Sequence, residues 1–450
     1  MVNKFILKII PLFIKKKIEC KGSLIRILNN INWLTLEKIV RGGLLIFVSI
    51  LLARYLGPEK FGTLNYAISF VALFTAFSKL GLDNIVIRNL VNFSSKQGEI
   101  LGSTFFLKLL GNIILSIFSV FLIYLIRPLD STIQLFVLII SMGYIFKSFD
   151  TIDFWFQSKV MSKYVAISLI ASGVIFFCIN FAFLIINAPL VSFIWAYVID
   201  FALTSLGLFI FYQSKSEISI FKWKIRVHTM KNLIHDSWPL ILSGLAIMMN
   251  LRIDQIMIGQ MINSDALGVY SVAVTLSESW YFIPMIITGS IFPVMITLRD
   301  LDKKLYFKKL QRVYDIFTWF SIGIAIVITF LSNSVISLLY GPNYMGASTV
   351  LSIQIWAGVF VFFGVVSARY FVIENLTKIS LYRPLIGMGI NIILNFILIP
   401  KYGIIGASIS TLISYFFASC LSNIFFKESR IVFYMFIRSL NIIRIIKELK

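Results

Sequence analysis

Charged residues are scarce in this chain, and acidic ones especially so. Only 14% of its 450 residues are charged, with 20 Asp and Glu in total, whereas 59% are hydrophobic and the mean hydropathy is +0.91. A soluble protein of this length needs far more polar surface to cover its core. The composition therefore excludes a soluble globular protein and predicts an all-α polytopic membrane protein.

Cysteine and histidine are also rare. Cys20, Cys178 and Cys420 are odd in number and divided between a basic terminus and two apolar stretches, so no disulfide framework is predicted. The two histidines, His228 and His235, share one polar loop without a second pair of ligands, so no metal site is predicted. No nucleotide-binding motif is present either, so we expect no ATP use, no cofactor and no catalytic residue.

Basic residues outnumber acidic ones by 41 to 20, which gives a formal net charge of +21. Such an excess is also found in nucleic-acid-binding proteins, but its placement here indicates topology instead. With the amino terminus inside, the predicted outer turns carry few basic residues: Arg54, Lys60, Arg127 and Lys401. The positive-inside rule therefore predicts that both termini are cytoplasmic, and no nucleic-acid partner is expected.

Apolar stretches of spanning length predict 12 transmembrane helices. Residues 33–213 and 236–426 are predicted to form two six-helix bundles, joined by a cytoplasmic linker at 214–235. Residues 1–32 and 427–450 are predicted to be basic amphipathic segments on the inner membrane surface. A docking arm for a partner is the alternative for the first of these segments.

The two predicted bundles share a weak internal repeat. Residues 61–69, FGTLNYAIS, align with 267–275, LGVYSVAVT, so that Gly62 matches Gly268. Both copies fall at the turn between the first and second helices of their bundle. This position predicts a duplicated unit, with two halves related by a parallel repeat.

Charged residues inside the predicted spans are the candidate site residues. Arg252 lies about 14 Å and Glu278 about 18 Å along a helix from the break at 262–266, near the middle of a ~30 Å hydrocarbon layer. A charge at that depth costs about 2.5 to 3.5 kcal/mol, so such residues usually face a partner or a wet cavity. Arg252 and Asp254 are two residues apart, on nearly opposite sides of a helix, so they are not expected to pair with each other.

Three further spans carry charges whose roles stay open. Arg41 is four residues from Glu37, so it is either part of an ion pair on its own helix or a cation that faces a cavity. Lys108 either extends to the membrane interface or contacts substrate. Asp200 has no basic residue within one helical turn, which leaves either a protonated, hydrogen-bonded carboxyl or a site for a coupling ion.

Five segments spread over nearly the whole chain carry a resemblance to a known family. They are YLGPEKFGTLNYA at 55–67, GLDNIVIRNLV at 81–91, RIDQIMIGQM at 252–261, LYGPNYMGAS at 339–348 and IPKYGIIGAS at 399–408. In the order and spacing of these segments the sequence resembles the polysaccharide transporter family of the multidrug/oligosaccharidyl-lipid/polysaccharide (MOP) flippase superfamily, the O-antigen (Wzx-type) flippases. The resemblance implies a MOP/MATE-like fold in the bacterial inner membrane.

The resemblance also implies a cargo, an oligosaccharide unit linked through diphosphate to a polyprenyl carrier and moved from the inner to the outer leaflet by alternating access. Such a cargo requires cations for its diphosphate, and Arg41, Lys108 and Arg252 are the candidates. Acidic residues inside the spans are candidates for binding a coupling ion, H⁺ or Na⁺: Asp254, Glu278 and Asp200. Membrane lipids, and the polymerase and chain-length regulator of the same pathway, are the expected further partners.

Three other functions are compatible with parts of the sequence. A multidrug exporter of the same superfamily is the nearest alternative, although three buried basic residues disfavour its expected organic-cation cargo. A membrane glycosyltransferase or polymerase needs a sizeable outer loop with catalytic residues, and the predicted outer turns are all short. A purely structural scaffold does not explain charges at mid-membrane depth.

Overall fold

The backbone is mainly helical over the described residues. The computed structural model describes residues 21–449, and within that range the chain forms α-helices, short 3₁₀ segments and one π-helical turn, with no β-strand. Most of the predicted amino-terminal segment 1–32 thus lies outside the described residues. Because a helix satisfies its own backbone hydrogen bonds, this architecture suits an apolar chain in a bilayer, and the all-α prediction is confirmed.

The α-helices are numbered here in chain order. Those of the amino-terminal part are α1 (Lys21–Leu73), α2 (Thr75–Lys79), α3 (Asp83–Asn92), α4 (Gln97–Ile126), α5 (Ser131–Gly143), α6 (Thr151–Ser158), α7 (Lys163–Ile185), α8 (Leu190–Lys215) and α9 (Val227–Met261). Those that follow are α10 (Ser264–Glu278), α11 (Phe282–Leu301), α12 (Lys303–Tyr340), α13 (Gly346–Ile373), α14 (Thr377–Phe416), α15 (Ser422–Phe425), α16 (Arg430–Leu440) and α17 (Ile442–Leu449).

Nine helices within the described range are long and apolar enough to cross a membrane, or ten if the bent pair Ser264–Gly289 and Val294–Leu301 forms one span. The two longest of the nine are each interrupted by a glycine with non-helical backbone angles: Gly57 (φ 72°) in α1 and Gly403 (φ 58°) in α14. Pro58 follows the first glycine, and proline cannot continue a helical hydrogen-bond ladder. The interruptions lie at or beside predicted turns, so the structure is consistent with twelve spans.

The described residues divide into two compact units. The first unit is Asn32–Ser271, which holds most of α1, all of α2 to α9 and the first part of α10. The remaining described residues form the second unit. In the first unit α9 packs against α2 and α4. The predicted bundles, 33–213 and 236–426, divide the chain at a different place, and those boundaries stay a prediction.

The first unit is held together by a buried apolar cluster where α3, α4, α6 and α8 meet. Members without exposed surface include Leu82, Val86, Leu101, Phe156 and Tyr212. The ring centroids of Trp155 on α6 and Tyr212 on α8 are 5.0 Å apart. The Trp155 indole N–H donates to Gln97 Oε1 on α4 at 3.2 Å. Aromatic packing of this kind, with the polar edge satisfied, fixes α4 against α6.

The second unit includes part of the predicted C-terminal tail. Helix α16 packs against α12, and the Trp319 indole of α12 donates to the Ser439 carbonyl oxygen at 2.9 Å. Further along, Arg444 Nη2 lies 2.6 Å from Asp315 Oδ1, with both side chains largely buried. The segment predicted as a basic amphipathic tail therefore has one face buried against α12 in this unit.

Two glycines bring backbone segments of α1 and α10 into contact within the first unit. A Cβ built on Gly62 would overlap the Ser264 carbonyl oxygen, and one built on Gly268 would overlap the Pro58 carbonyl oxygen. Only a residue without a side chain permits so close an approach. These are the two glycines that the predicted repeat aligns, so the matched position is a point of backbone contact.

Alanine at this contact should destabilise the first unit. In Gly62→Ala the new methyl group meets a carbonyl oxygen rather than a flexible side chain, so we expect a loss of about 1 to 3 kcal/mol. The measurement is the thermal unfolding midpoint of the detergent-purified protein. Gly43→Ala is the matched control, because a Cβ at Gly43 meets nothing within 4 Å and alanine is the better helix former. Equal midpoints for the two variants would contradict the contact.

Candidate substrate and ion sites

A buried ion pair joins Arg41 to Asp200. The Arg41 Nη2 atom lies 2.7 Å from Asp200 Oδ2, and the two side chains are 15% and 7% exposed. Arg41 comes from α1 and Asp200 from α8, so the contact links residues 159 positions apart. Asp200 has no basic neighbour on its own helix, as the sequence indicates, but α1 supplies a partner.

Helix α7 completes the surroundings of this pair. The Arg41 Nη1 group donates to the Leu169 carbonyl oxygen at 3.2 Å and to Ser172 Oγ at 3.4 Å. Helices α7 and α8 approach closely because small residues lie between them: a Cβ on Gly207 would sit 2.8 Å from Ser168 Oγ. The guanidinium is therefore satisfied inside the first unit, and its role as a substrate cation stays a prediction.

Lys108 is more deeply buried than Arg41, with 3% of the residue exposed. Its ammonium lies 4.0 Å from Asp150 Oδ2, at the end of the 3₁₀ segment Tyr144–Asp150, and 5.0 Å from the centroid of the Phe154 ring on α6. The apolar cluster described above positions α4 and α6 so that these groups meet. The structure thus places Lys108 among other side chains of the first unit, and contact with substrate stays a prediction.

Asp254 and Arg252 both lie on α9. Asp254 is 3% exposed, and its Oδ2 accepts a hydrogen bond from the Tyr270 hydroxyl of α10 at 3.0 Å. Arg252 is half-buried and lies close enough to Tyr144 of the 3₁₀ segment for its guanidinium to act electrostatically on the phenol. The structure therefore brings Arg252 towards the segment that also carries Asp150.

Glu278 lies in a different unit from the other predicted site residues. It is half-buried at the end of α10, where its carbonyl oxygen accepts from the Tyr281 backbone N–H at 2.9 Å. The second unit contains Glu278, whereas the first unit contains the remaining candidates: Arg41, Lys108, Asp200, Arg252 and Asp254. The structure therefore gathers five of the six candidates into one unit.

A cation at the end of α4 makes contacts that the sequence analysis does not foresee. The Arg127 guanidinium donates to the Gly259 carbonyl oxygen of α9, lies 4.3 Å from the centroid of the Tyr66 ring and 3.3 Å from Asp130 Oδ2. The Tyr66 hydroxyl in turn accepts from Gln260 at 2.6 Å. A basic residue after a helix C-terminus is common, so its sequence position signals nothing more than topology.

The second unit encloses another arginine without a candidate role in the sequence analysis. Arg383 of α14 is 6% exposed, and it donates from Nε to the Ala418 carbonyl oxygen at 2.9 Å and from Nη2 to that of Ser419 at 3.2 Å. Both carbonyls belong to the π-helical turn Phe417–Leu421, whose wider spacing disturbs the regular ladder. The arginine therefore satisfies backbone groups at an irregular turn, which is a structural role.

Comparison with known proteins identifies the family of this chain. A family model described as polysaccharide biosynthesis protein matches residues 27–299. The capsular polysaccharide biosynthesis protein CapF of Staphylococcus aureus is 24% identical over 406 residues, which cover 89% of this chain and 99% of that relative. The probable flippase AglR of Haloferax volcanii is 32% identical over 181 residues, or 38% of this chain and 36% of that relative.

Solved structures share the fold at lower identity. The lipid II flippase MurJ, in an inward closed conformation, gives a TM-score of 0.72 at 17% identity over 94% of this chain and 93% of its own. An inward-facing multidrug resistance MATE family transporter of the MOP superfamily gives a TM-score of 0.69 at 12% identity. The match covers 89% of this chain and 99% of that transporter. At such identities the likeness shows the fold alone.

The apolar helices define a multi-pass membrane protein, and its fold is shared with a lipid II flippase and a MATE family transporter. The chain belongs to the polysaccharide biosynthesis protein family, whose model matches more than half of its length. The resemblance carried by the five sequence segments is thereby confirmed.

Removing one member of the Arg41–Asp200 pair should destabilise the protein more than removing both. Arg41→Met leaves a buried carboxylate without its cation, at a cost of about 3 to 5 kcal/mol. The double variant Arg41→Met with Asp200→Leu replaces the pair by apolar side chains and should recover most of that loss. Unfolding of the two single variants and the double variant in detergent measures this as a double-mutant cycle. Additive losses would show that the side chains do not interact.

Proposed function

We propose that this protein flips a polyprenyl-diphosphate-linked oligosaccharide unit, of capsule or O-antigen type, from the inner to the outer leaflet of the bacterial inner membrane by alternating access. The observation that carries the proposal is the match to a capsular polysaccharide biosynthesis protein over 89% of this chain. The fold shared with a lipid II flippase supports it, because the same arrangement of helices serves a lipid-flipping protein there.

Arg252 is the leading candidate to bind the diphosphate. A guanidinium holds two phosphate oxygens in a fork, which a single ammonium does not do. Arg252 is half-buried near mid-membrane depth, whereas the side chains of Arg41 and Lys108 are only 15% and 4% exposed. Arg41 and Lys108 therefore serve in this proposal as secondary sites.

An ion gradient, of H⁺ or Na⁺, drives transport in this proposal. The carboxylates proposed to bind the coupling ion are those inside the spans: Asp254, Glu278 and Asp200. Asp254 is the leading candidate among them, because its buried carboxylate accepts from a neutral hydroxyl, that of Tyr270. Binding a proton or a sodium ion there reduces the cost of a buried negative charge.

The proposed setting has both termini in the cytoplasm. The lipid-linked oligosaccharide and membrane lipids are the proposed small-molecule partners. A polymerase and a chain-length regulator of the same pathway are the proposed protein partners, because a flipped unit has to be passed to the step that assembles the polymer.

A multidrug exporter is the second candidate function, and the fold shared with a multidrug resistance transporter is the observation that favours it. The family match argues against this candidate, because a family model of polysaccharide biosynthesis proteins covers residues 27–299. The two candidates differ in cargo, so transport assays separate them.

Purified protein in liposomes that contain a polyprenyl-diphosphate oligosaccharide should expose the sugar on the opposite leaflet, where an added lectin or glycosidase detects it. Arg252→Ala should slow this translocation at least about tenfold, since losing a hydrogen bond to a charged group costs about 1.5 to 3 kcal/mol. Arg312→Ala, which removes an exposed arginine of α12, is the matched control and should leave the rate unchanged.

Two outcomes would count against different parts of this proposal. Wild-type liposomes that translocate no lipid-linked sugar, but export an organic cation such as ethidium, would overturn the cargo. A wild-type rate in Arg252→Ala, with the sugar still translocated, would remove Arg252 from the site and leave the cargo intact.

Cysteine labelling tests the proposed orientation. In a chain whose three native cysteines are replaced by serine, Lys304→Cys should react with a membrane-impermeant maleimide only from the cytoplasmic side. Lys401→Cys should react only from the outer side. The reverse pattern would show that the termini lie outside.

A further inference from the structure

Helix α16 presents apolar side chains to its surroundings as well as to the rest of the second unit. One face of this helix is buried in the apolar core of the unit through Val432, Met435 and Phe436. On the opposite face Tyr434 is 62% exposed and Ile437 is 48% exposed. An exposed face that combines an aromatic ring with aliphatic side chains indicates a helix that contacts a membrane surface.

Basic residues beside this face favour an anionic membrane surface. Residues 427–450 contain six Lys and Arg against two Glu. Arg430 donates from Nε to the Ile424 carbonyl oxygen at 3.0 Å, and Arg444 is paired with a carboxylate of α12. Arg438 is exposed, and its guanidinium makes no ion pair with the residues that the structure describes. Arg438 is therefore available to an anionic headgroup, which attracts a basic residue by about 1 kcal/mol.

A groove of about 420 Å³ opens on α12 within the same unit. Its lining is apolar and includes Trp280, Trp319, Phe320, Gly323, Val327 and Ile328. The α12 residues of this lining extend from position 319 to position 328, which is about 14 Å along a helix. A hydrocarbon layer is ~30 Å thick, so the groove has about the length of one acyl chain in a single leaflet.

Trp319 connects the groove to α16. Its indole lines the groove and donates to the Ser439 carbonyl oxygen at 2.9 Å. The neighbouring Thr318 hydroxyl lies 3.0 Å from Ser439 Oγ. Arg438 directly precedes Ser439, so their Cα atoms are about 3.8 Å apart. A long arginine side chain at this position can extend its charge to polar surroundings while its stem lies on apolar surface. The groove and an available cation thus occur side by side.

We propose that Arg438 and the α12 groove bind an anionic glycerophospholipid of the inner leaflet. One acyl chain lies along the groove, and the lipid phosphate contacts the Arg438 guanidinium. Trp319 suits the boundary between the two parts, because its ring is apolar and its N–H is polar.

The charge of the headgroup distinguishes this site from ordinary contact with bulk lipid. A zwitterionic phospholipid offers the same acyl chains, but its own ammonium competes with Arg438 for the phosphate. An anionic phospholipid has no such competing cation, so Arg438 favours it. The inner-leaflet location rests on the proposed orientation of the chain, whereas the site itself is independent of the proposed cargo.

Native mass spectrometry of the detergent-purified full chain tests headgroup selectivity. We expect dioleoylphosphatidylglycerol to bind at least about tenfold more tightly than dioleoylphosphatidylcholine, a difference of about 1.4 kcal/mol. Arg438→Gln should abolish this preference. Arg430→Gln is the matched control and should keep it, because the substitution removes the same charge from the same helix about 12 Å away. Equal losses in the two variants would overturn the site, since the lipid would then respond to net charge alone.

Filling the groove tests the acyl-chain part of the site. A Cβ built on Gly323 meets nothing within 4 Å, so the ring of Gly323→Phe has room to occupy the groove. This variant should bind dioleoylphosphatidylglycerol at least about tenfold more weakly. Gly389→Phe, at another glycine of the second unit with open space around a built Cβ, is the matched control.

A brominated lipid gives a readout that needs no bulky substitution. One equivalent of phosphatidylglycerol with dibrominated acyl chains should quench the tryptophan fluorescence of the wild-type protein. It should quench Trp280→Phe less, because that variant lacks one of the two groove tryptophans. Equal quenching of both proteins would place the acyl chains elsewhere and overturn the groove assignment.

Two further results would overturn the inference. One is equal affinity of the wild-type protein for the two dioleoyl phospholipids. The other is displacement of phosphatidylglycerol by an equal concentration of a polyprenyl phosphate, which would identify the carrier lipid as the occupant of the groove. These experiments measure binding without translocation, so their failure leaves the proposed function standing, and a failed translocation assay leaves the lipid site standing.

Discussion

The ion pair between Arg41 and Asp200 constrains the packing of the first unit, because both charges lie where packed side chains replace water. At 2.7 Å the guanidinium neutralises the carboxylate, and its remaining donors reach the Leu169 carbonyl and the Ser172 hydroxyl of α7. One side chain of α1 is thereby satisfied by two other helices. A buried charge that must be paired is compatible with few arrangements of the helices that carry it, so the pair restricts how α1, α7 and α8 pack.

The charged residues of the first unit differ in burial, and this difference separates their proposed roles. The Arg41 guanidinium has hydrogen-bond partners on α7 and α8 and suits a structural contact. The Lys108 side chain is 4% exposed, with a carboxylate oxygen 4.0 Å from its ammonium. Arg252 is half-buried and suits contact with a phosphate. Structural pairing and substrate binding are thus assigned to different residues of one unit.

Several features of the fold follow from the sequence because they depend on local pattern. Apolar stretches of spanning length predict the helices, and Gly57 with Pro58 predicts the interruption of α1. The match of Gly62 with Gly268 identifies two positions that the structure places in backbone contact. By contrast, the partner of Asp200 is 159 residues away, and no spacing rule connects the two. The contacts of Arg127 with α9 and of Arg383 with a π-helical turn also arise only from packing. Burial depth can be inferred from hydropathy, but the partner of a buried charge depends on tertiary structure.

The most direct test of the diphosphate site is a cryo-electron microscopy structure of the protein in a lipid nanodisc with a polyprenyl-diphosphate oligosaccharide bound. We expect diphosphate density about 3 Å from the Arg252 guanidinium, with Arg41 still in contact with Asp200. Diphosphate bound away from Arg252, with that side chain against lipid acyl chains, would contradict the assignment of this residue as the substrate cation.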